Sequence, residues 1–344
     1  MTHEADLSSP EAGPSVSAAE RRKKWLRLGG TIASIVLFTF ALVVLYNVVN
    51  ELDANEVKAA FARATWGQIG AALGFTALSY LMLTGYDVVA LKAVTIQPVP
   101  YRIAALASFT SYAVSFTLGF PLLTAATVRY WIYSSIGLSA KVIASLTLIA
   151  GITFWLGMGV VLGTVMLAAP QSSATFTRLP QGMNMLIGAG VLGGVGAYLF
   201  MVNKGRRRLR VQGWSMRLPG VNVTLKQLAL GAMDVIAGAA VLYVLLPQGS
   251  NVAFPAMLAA YVFACLLGIA SHAPGGIGVF EATMLLALPG VPREPLLGAL
   301  LVYRLCYYLI PFLIALALLG VRELSLRARR MQRTLNEVER EEKP

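Results

Sequence analysis

Charge is what this sequence has least of. Only 13% of its residues are Asp, Glu, Lys or Arg, against about 25% in a soluble domain. Cysteine and histidine are scarcer still, at two residues each. Cys265 and Cys306 both lie in apolar runs, and the histidines are His3 and His272. A disulfide framework and a Cys/His metal site are therefore excluded as organising devices. No nucleophile–base pair, phosphate-binding loop or zinc spacing occurs, so no cofactor, metal or nucleic-acid partner is expected. Transport driven by ATP on this chain is not expected either.

What fills the space is apolar: 57% of the chain is hydrophobic, with a formal net charge of +12. Runs such as Thr31–Val49 and Ala299–Val321 reach the roughly 20 residues that cross a bilayer as a helix. The composition predicts an all-α polytopic membrane protein. Residues 1–24 are Ser-, Ala-, Pro- and Glu-rich up to the basic "RRKKWLR", and read as a disordered cytoplasmic tail. The apolar run at 28–49 is too long for a signal peptide and reads as a first membrane helix. Residues 25–322 form the transmembrane domain, and 323–344 a charged cytoplasmic helical tail. In that tail Leu324, Ala328, Met331, Leu335 and Val338 make a short heptad seam, expected to dock on the protein itself.

Basic clusters order the crossings. "NKGRRRLRVQGWSMR" (203–217) and "RELSLRARRMQR" (322–333) are placed inside, 51–65 and the 170–181 loop outside, and both termini in the cytoplasm. Two regions resist a simple reading. Residues 103–138 and 252–290 are each two apolar pieces split by a break, "GFP" at 119–121 and "HAPGG" at 272–276. Each is expected to be a re-entrant pair of half-helices, and the number of crossings stays between six and ten.

These breaks recur in order. "SYLMLTGYDVVAL" parallels "QLALGAMDVIAGA", and "SYAVSFTLGFPLLTAATVRYW" parallels "AYVFACLLGIASHAPGGIGVFEA". Asp87 then aligns with Asp234, Tyr112 with Tyr261, Gly119 with Gly268 and Arg129 with Glu281. By the charge rule the two halves (about 66–169 and 224–320) run in opposite directions. The expected architecture is thus an inverted repeat of transmembrane helices with two broken hairpins, a design that places substrate sites near the midplane.

Ionisable residues in apolar surroundings are costly, at least about 2.5–3.5 kcal/mol each when unpaired at a helix centre. Asp87, Arg129, Asp234, Glu281 and Arg304 must therefore face an interior or a wet cavity. Asp87 and Asp234 read equally as internal pairing groups. Symmetry suggests that Arg129 pairs with Glu281, and Arg304 sits in an aromatic cluster with Tyr303 and Tyr307. Pro274 suits the first turn of a half-helix. Gly275, Gly276 and Gly278 would bare its N–H groups to an anion. His272 reads either as a polar cap or as a ligand or proton carrier.

At "SHAPGGIGVFEATML" the chain resembles the lysylphosphatidylglycerol synthase transmembrane-region family, the flippase-like domain of the bacterial multiple peptide resistance factor. "LTGYDVVALK", "ATVRYWIYSSIGLSA" and "YRLCYYLIPF" resemble other parts of that domain, over roughly 28–322. The first hairpin departs from it in having "LLTAATVRY" where more glycine is expected. The resemblance implies a multi-pass protein of the bacterial inner membrane that moves aminoacyl-phosphatidylglycerol, or a related anionic phospholipid, between leaflets. It implies that the transferase domain is absent, so that the chain is not an enzyme. Phosphate would meet Arg129, Arg304 and the Gly275–Gly278 backbone; a headgroup ammonium would meet Asp87, Asp234 or Glu281. A small-solute transporter and a non-transporting partner of a separate lipid synthase stay open, as do homo-oligomerisation and the choice between scrambling and proton coupling.

Overall fold

A computed structural model describes residues 60, 63–119, 121–205, 208–211, 214–271 and 273–341. The expected N-terminal tail and the first membrane helix at 28–49 lie outside them. The described fold is helical apart from one short ribbon. Among the described residues, five helical stretches are long and apolar enough to cross a membrane. They are α1 (Trp66–Val94), then α4 (Ala140–Ala168), α6 (Gln181–Asn203), α7 (Val221–Leu245), and the run from Arg293 to Leu326.

Between them lie short helices. α2 (Tyr101–Leu118) and α3 (Pro121–Tyr133) form one hairpin, and α8 (Phe254–Ala270) and α9 (Val279–Ala287) another. At 1.5 Å per residue, α3 and α9 extend about 20 and 14 Å, well short of the roughly 30 Å of a hydrocarbon core. α5 (Pro170–Thr177) occupies what the sequence suggested was a plain outer loop. The basic 203–217 stretch is likewise not irregular. Its strands β1 (Arg208–Val211) and β2 (Trp214–Arg217) pair antiparallel, Arg208 opposite Arg217.

Local chemistry sets the boundaries. Thr65 and Gln68 cap α1 reciprocally: the Thr65 hydroxyl accepts from the Gln68 N–H at 3.2 Å, and Gln68 Oε1 accepts from the Thr65 N–H at 2.9 Å. Proline opens α3 and α5 at positions where its missing N–H costs nothing. α10 (Arg293–Arg304) runs through a π turn (Leu305–Leu309) into α11 (Ile310–Glu341). The wide turn follows from Pro311, which has no N–H to give the Tyr307 carbonyl. Ile310 bonds Leu305 instead, and the freed Tyr307 carbonyl accepts the Tyr80 hydroxyl at 3.3 Å.

α1 and α7 pack antiparallel along their length. Gln68 bonds the Leu246 carbonyl at one end, and Gly85 abuts Leu230 at the other. α4 crosses α7 backbone to backbone at Gly157 and Gly231. α6 lies outermost, burying little beyond Asn184, Gly188 and Val202. The core falls into one cluster around α7–α10 and another around α1–α4. A small group with Tyr80, Tyr86 and Tyr112 joins them. α11 continues unbroken to Glu341. Its expected docking is not seen among the described residues, since Leu324 and Met331 are 69% and 67% exposed.

The hairpin tips meet. Gly119, at φ 77°, turns α2 into α3, and a Cβ there would stand 3.3 Å from the Pro274 Cα. Gly275, at φ 58°, faces the Phe116 and Thr117 carbonyls. Only glycine serves positions that combine positive φ with backbone contact.

The α4–α7 crossing gives a clean test. A Cβ on Gly157 would lie 2.3 Å from the Gly231 carbonyl carbon, whereas one on Gly151 meets nothing within 4 Å. Gly157→Leu should destabilise the detergent-purified protein by about 1–3 kcal/mol or more, read as a lowered melting temperature. Gly151→Ala should leave that temperature unchanged.

Candidate functional site

The bend at Ala273–Gly278 is built differently from a bare half-helix. Pro274–Gly276 form a 3-10 turn, and α9 begins only at Val279. The Gly278 N–H donates to Glu281 Oε2 at 2.8 Å, so the helix start is already capped by its own carboxylate. Glu281 Oε1 accepts from Arg304 Nε, and Arg304 Nη1 donates to the Gly275 carbonyl at 3.0 Å. One arginine thus fastens both ends of the bend. Among the described residues its Nη2 has no hydrogen-bond partner, while the guanidinium lies over the Tyr308 ring at 5.4 Å.

Arg129 does not pair with Glu281. It grips Asp87 bidentately, Nε to Oδ2 at 3.1 Å and Nη2 to Oδ1 at 2.7 Å, and Tyr133 donates to Oδ2 at 2.9 Å. Both ions are buried, at 1% and 0% exposure. Helix packing is the cause. Arg129 is on α3 and Asp87 on α1, which share a core, while Glu281 is drawn to the backbone of its own bend. Each of these two ion pairs therefore lies within one half of the chain.

Asp234 is arranged unlike its counterpart. The Ser79 hydroxyl donates to Oδ1 at 2.5 Å and the Tyr86 hydroxyl to Oδ2 at 3.0 Å. Among the described residues it forms no ion pair. Tyr307 contacts Ser79 at 2.8 Å, and Tyr303 contacts Tyr261 at 3.0 Å. Tyr303 also stacks between Phe280 and Tyr307.

A cavity of about 560 Å³ lies between the two hairpins and α4. Of the residues singled out from sequence, Arg129, Asp234, Gly275, Gly276 and Tyr307 line it. Asp87, Pro274, Gly278, Glu281, Tyr303 and Arg304 do not line it, and His272 lies outside the described residues. The rest of the lining is largely apolar. Leu122, Leu123 and Trp155 border the cavity while being 54%, 69% and 53% exposed. Trp155 sits near the middle of a spanning helix, where an exposed apolar side chain faces lipid.

Sequence reasoning missed the α4 wall, because α4 carries no charge or break there to draw attention. It also passed over Tyr112, whose ring sits 4.9 Å from the Arg129 guanidinium. Its alignment with Tyr261 was the available signal.

Fold and site together define a multi-pass helical membrane protein with a polar-floored cavity at the meeting of two broken hairpins. The chain belongs to the lysylphosphatidylglycerol synthase transmembrane-region family, whose model matches residues 31–315. It is similar to the uncharacterized protein slr0712 of Synechocystis sp., with 32% identity over 84% of this chain and 89% of the relative. It is also similar to the inner membrane protein YbhN of Escherichia coli, with 28% identity over 85% and 92%. The phosphatidylglycerol lysyltransferase of Staphylococcus haemolyticus matches at 26% identity over 87% of this chain, which spans only 34% of that enzyme.

Removing one partner of a buried pair leaves an uncompensated charge, at about 3–5 kcal/mol. Arg129→Ala should therefore lower the melting temperature of the purified protein sharply. Arg129→Lys should recover only part of the loss, because an ammonium cannot reproduce the planar fork. Asp87→Asn with Arg129→Gln should be better tolerated than Arg129→Ala alone.

Proposed function

We propose that this protein moves a phospholipid, aminoacyl-phosphatidylglycerol or a related anionic lipid, between the leaflets of the bacterial inner membrane. The observation that carries this reading is the cavity. It has apolar, lipid-facing Leu122, Leu123 and Trp155 at its border and Arg129 with polar hydroxyls on its inner wall. A flipped lipid needs that combination: a polar path for the headgroup and oil for the chains. A cavity for a water-soluble solute would be closed off from the bilayer.

The headgroup phosphate would be met by Arg129 and by the tip backbone at Gly275, with Arg304 Nη2 as a further donor near the tip. The lysyltransferase relative and the family description support an aminoacylated lipid as cargo. The antiparallel packing of α1 on α7 and the tip-to-tip contact support the inverted repeat. In that arrangement the hairpins are re-entrant and both termini are cytoplasmic.

Reconstitution tests the reading. In liposomes carrying fluorescent lysyl-phosphatidylglycerol, with an impermeant quencher outside, the protein should increase the quenchable fraction above that of empty vesicles. Gly151→Phe places a ring where the cavity is open and should abolish the increase at unchanged melting temperature. Equal quenching with and without the wild-type protein, across several headgroups, would sink the proposal.

A further inference from the structure

The two mid-helix aspartates occupy matching places in the two halves and are treated differently. Asp87 has a bidentate guanidinium and a tyrosine. Asp234, 3% exposed, has two neutral hydroxyls and, among the described residues, no cation. An isolated carboxylate in a low-dielectric interior is strongly disfavoured as an anion. Such a group resolves the cost by binding a proton or a mobile cation.

Its neighbours leave that outcome open to the cavity. The groups that feel its field are Tyr80 and Tyr86 of α1, Tyr112 of α2, Cys265 of α8 and Tyr307 of the π turn, all neutral hydroxyls or a thiol. Of the other elements packed on α7, α4 brings only Lys141, at its start, and α6 only Tyr198. α8 adds Tyr261, bonded to Tyr303 of α10. Arg293 and Glu294 lie at the opposite end of α10 from Arg304, which is engaged by Glu281. On α7 itself, Lys226 is in the first turns and Tyr243 in the last.

We infer that Asp234 is a proton-binding site, connected through Ser79 to Tyr307 and the cavity, and that its protonation is coupled to the passage of cargo. This rests on the transport reading above. Asp234 and Tyr307 both line the cavity, and Ser79 bridges them at 2.5 and 2.8 Å. With the carboxylate ionised, Tyr307 donates to Ser79 and Ser79 to Oδ1. A hydronium ion in the cavity that gives its proton to Tyr307 Oη is left as water, while the phenolic proton moves to Ser79 Oγ and the serine proton to Oδ1. The carboxylate becomes a neutral acid that donates back along the same chain. No hydrogen bond is lost in either state, so the row works in both directions. Lipid passage hydrates the cavity or brings a headgroup ammonium to Asp234, and either favours release of the proton.

Two measurements on the full chain in liposomes separate this inference from the transport reading. Infrared difference spectra between acidic and alkaline buffer should contain the carbonyl stretch of a protonated carboxyl, and Asp234→Asn should remove it. Ser79→Ala should keep the band but slow its appearance after a pH jump severalfold. Absence of any Asp234-dependent titrating band overturns the proton site, whether or not lipid moves. For the coupling, an imposed pH gradient should change the wild-type rate of lipid movement severalfold, and Asp234→Asn should lose that response whatever its residual rate. A wild-type rate indifferent to the gradient overturns the coupling and leaves the transport reading standing.

Discussion

An ion buried in a low-dielectric interior must be neutralised by something, and this one constraint organises the molecule. The Arg129–Asp87 pair binds α3 to α1, and so fixes the first hairpin against the long helices. Arg304 and Glu281 do the same for the second hairpin, with the added task of holding its bend. Among the described residues both ion pairs lie within one half, and neither crosses between the halves. The contact between the halves is made instead by α1 packed along α7, by the Gly157–Gly231 crossing of α4 and α7, by the hairpin tips, and by the Ser79 and Tyr86 hydroxyls on Asp234.

The exception gives the constraint its functional meaning. Asp234 sits where the halves meet, held by Ser79 and Tyr86 from the other half. A second irregularity lies beside it. Pro311 forces the π turn, turning the Tyr307 carbonyl toward the Tyr80 hydroxyl while the Tyr307 hydroxyl reaches Ser79. The π turn thus places a tyrosine hydroxyl one hydrogen bond away from Asp234, through Ser79. π turns of this kind are common where helices carry function.

Much of this was legible beforehand. The membrane class, the long helices, the two breaks and the charged residues follow from composition, periodicity and the positions of Pro and Gly. The family resemblance at "SHAPGGIGVFEATML" agrees with the match over residues 31–315. The partner of each charge was not legible. Symmetry suggested Arg129 with Glu281, but a guanidinium bonds whichever carboxylate its rotamer reaches, and that depends on helix packing. The bend was misread for a related reason. Sequence shows that Gly278 has no side chain; it does not show that Glu281 curls back to occupy the N–H left bare.

The sequence by itself determined that the chain is helical and membrane-embedded, because 57% apolar content in long runs leaves no other way to satisfy the backbone. It also determined where helices must break, since proline and glycine act through the local backbone alone. Tertiary structure decided which charges are matched and which is left over. It also decided that a charge-free face of α4 closes a cavity over Asp234. Those outcomes depend on distances between residues far apart in the chain, and the spacing of residues along one helix carries no information about them.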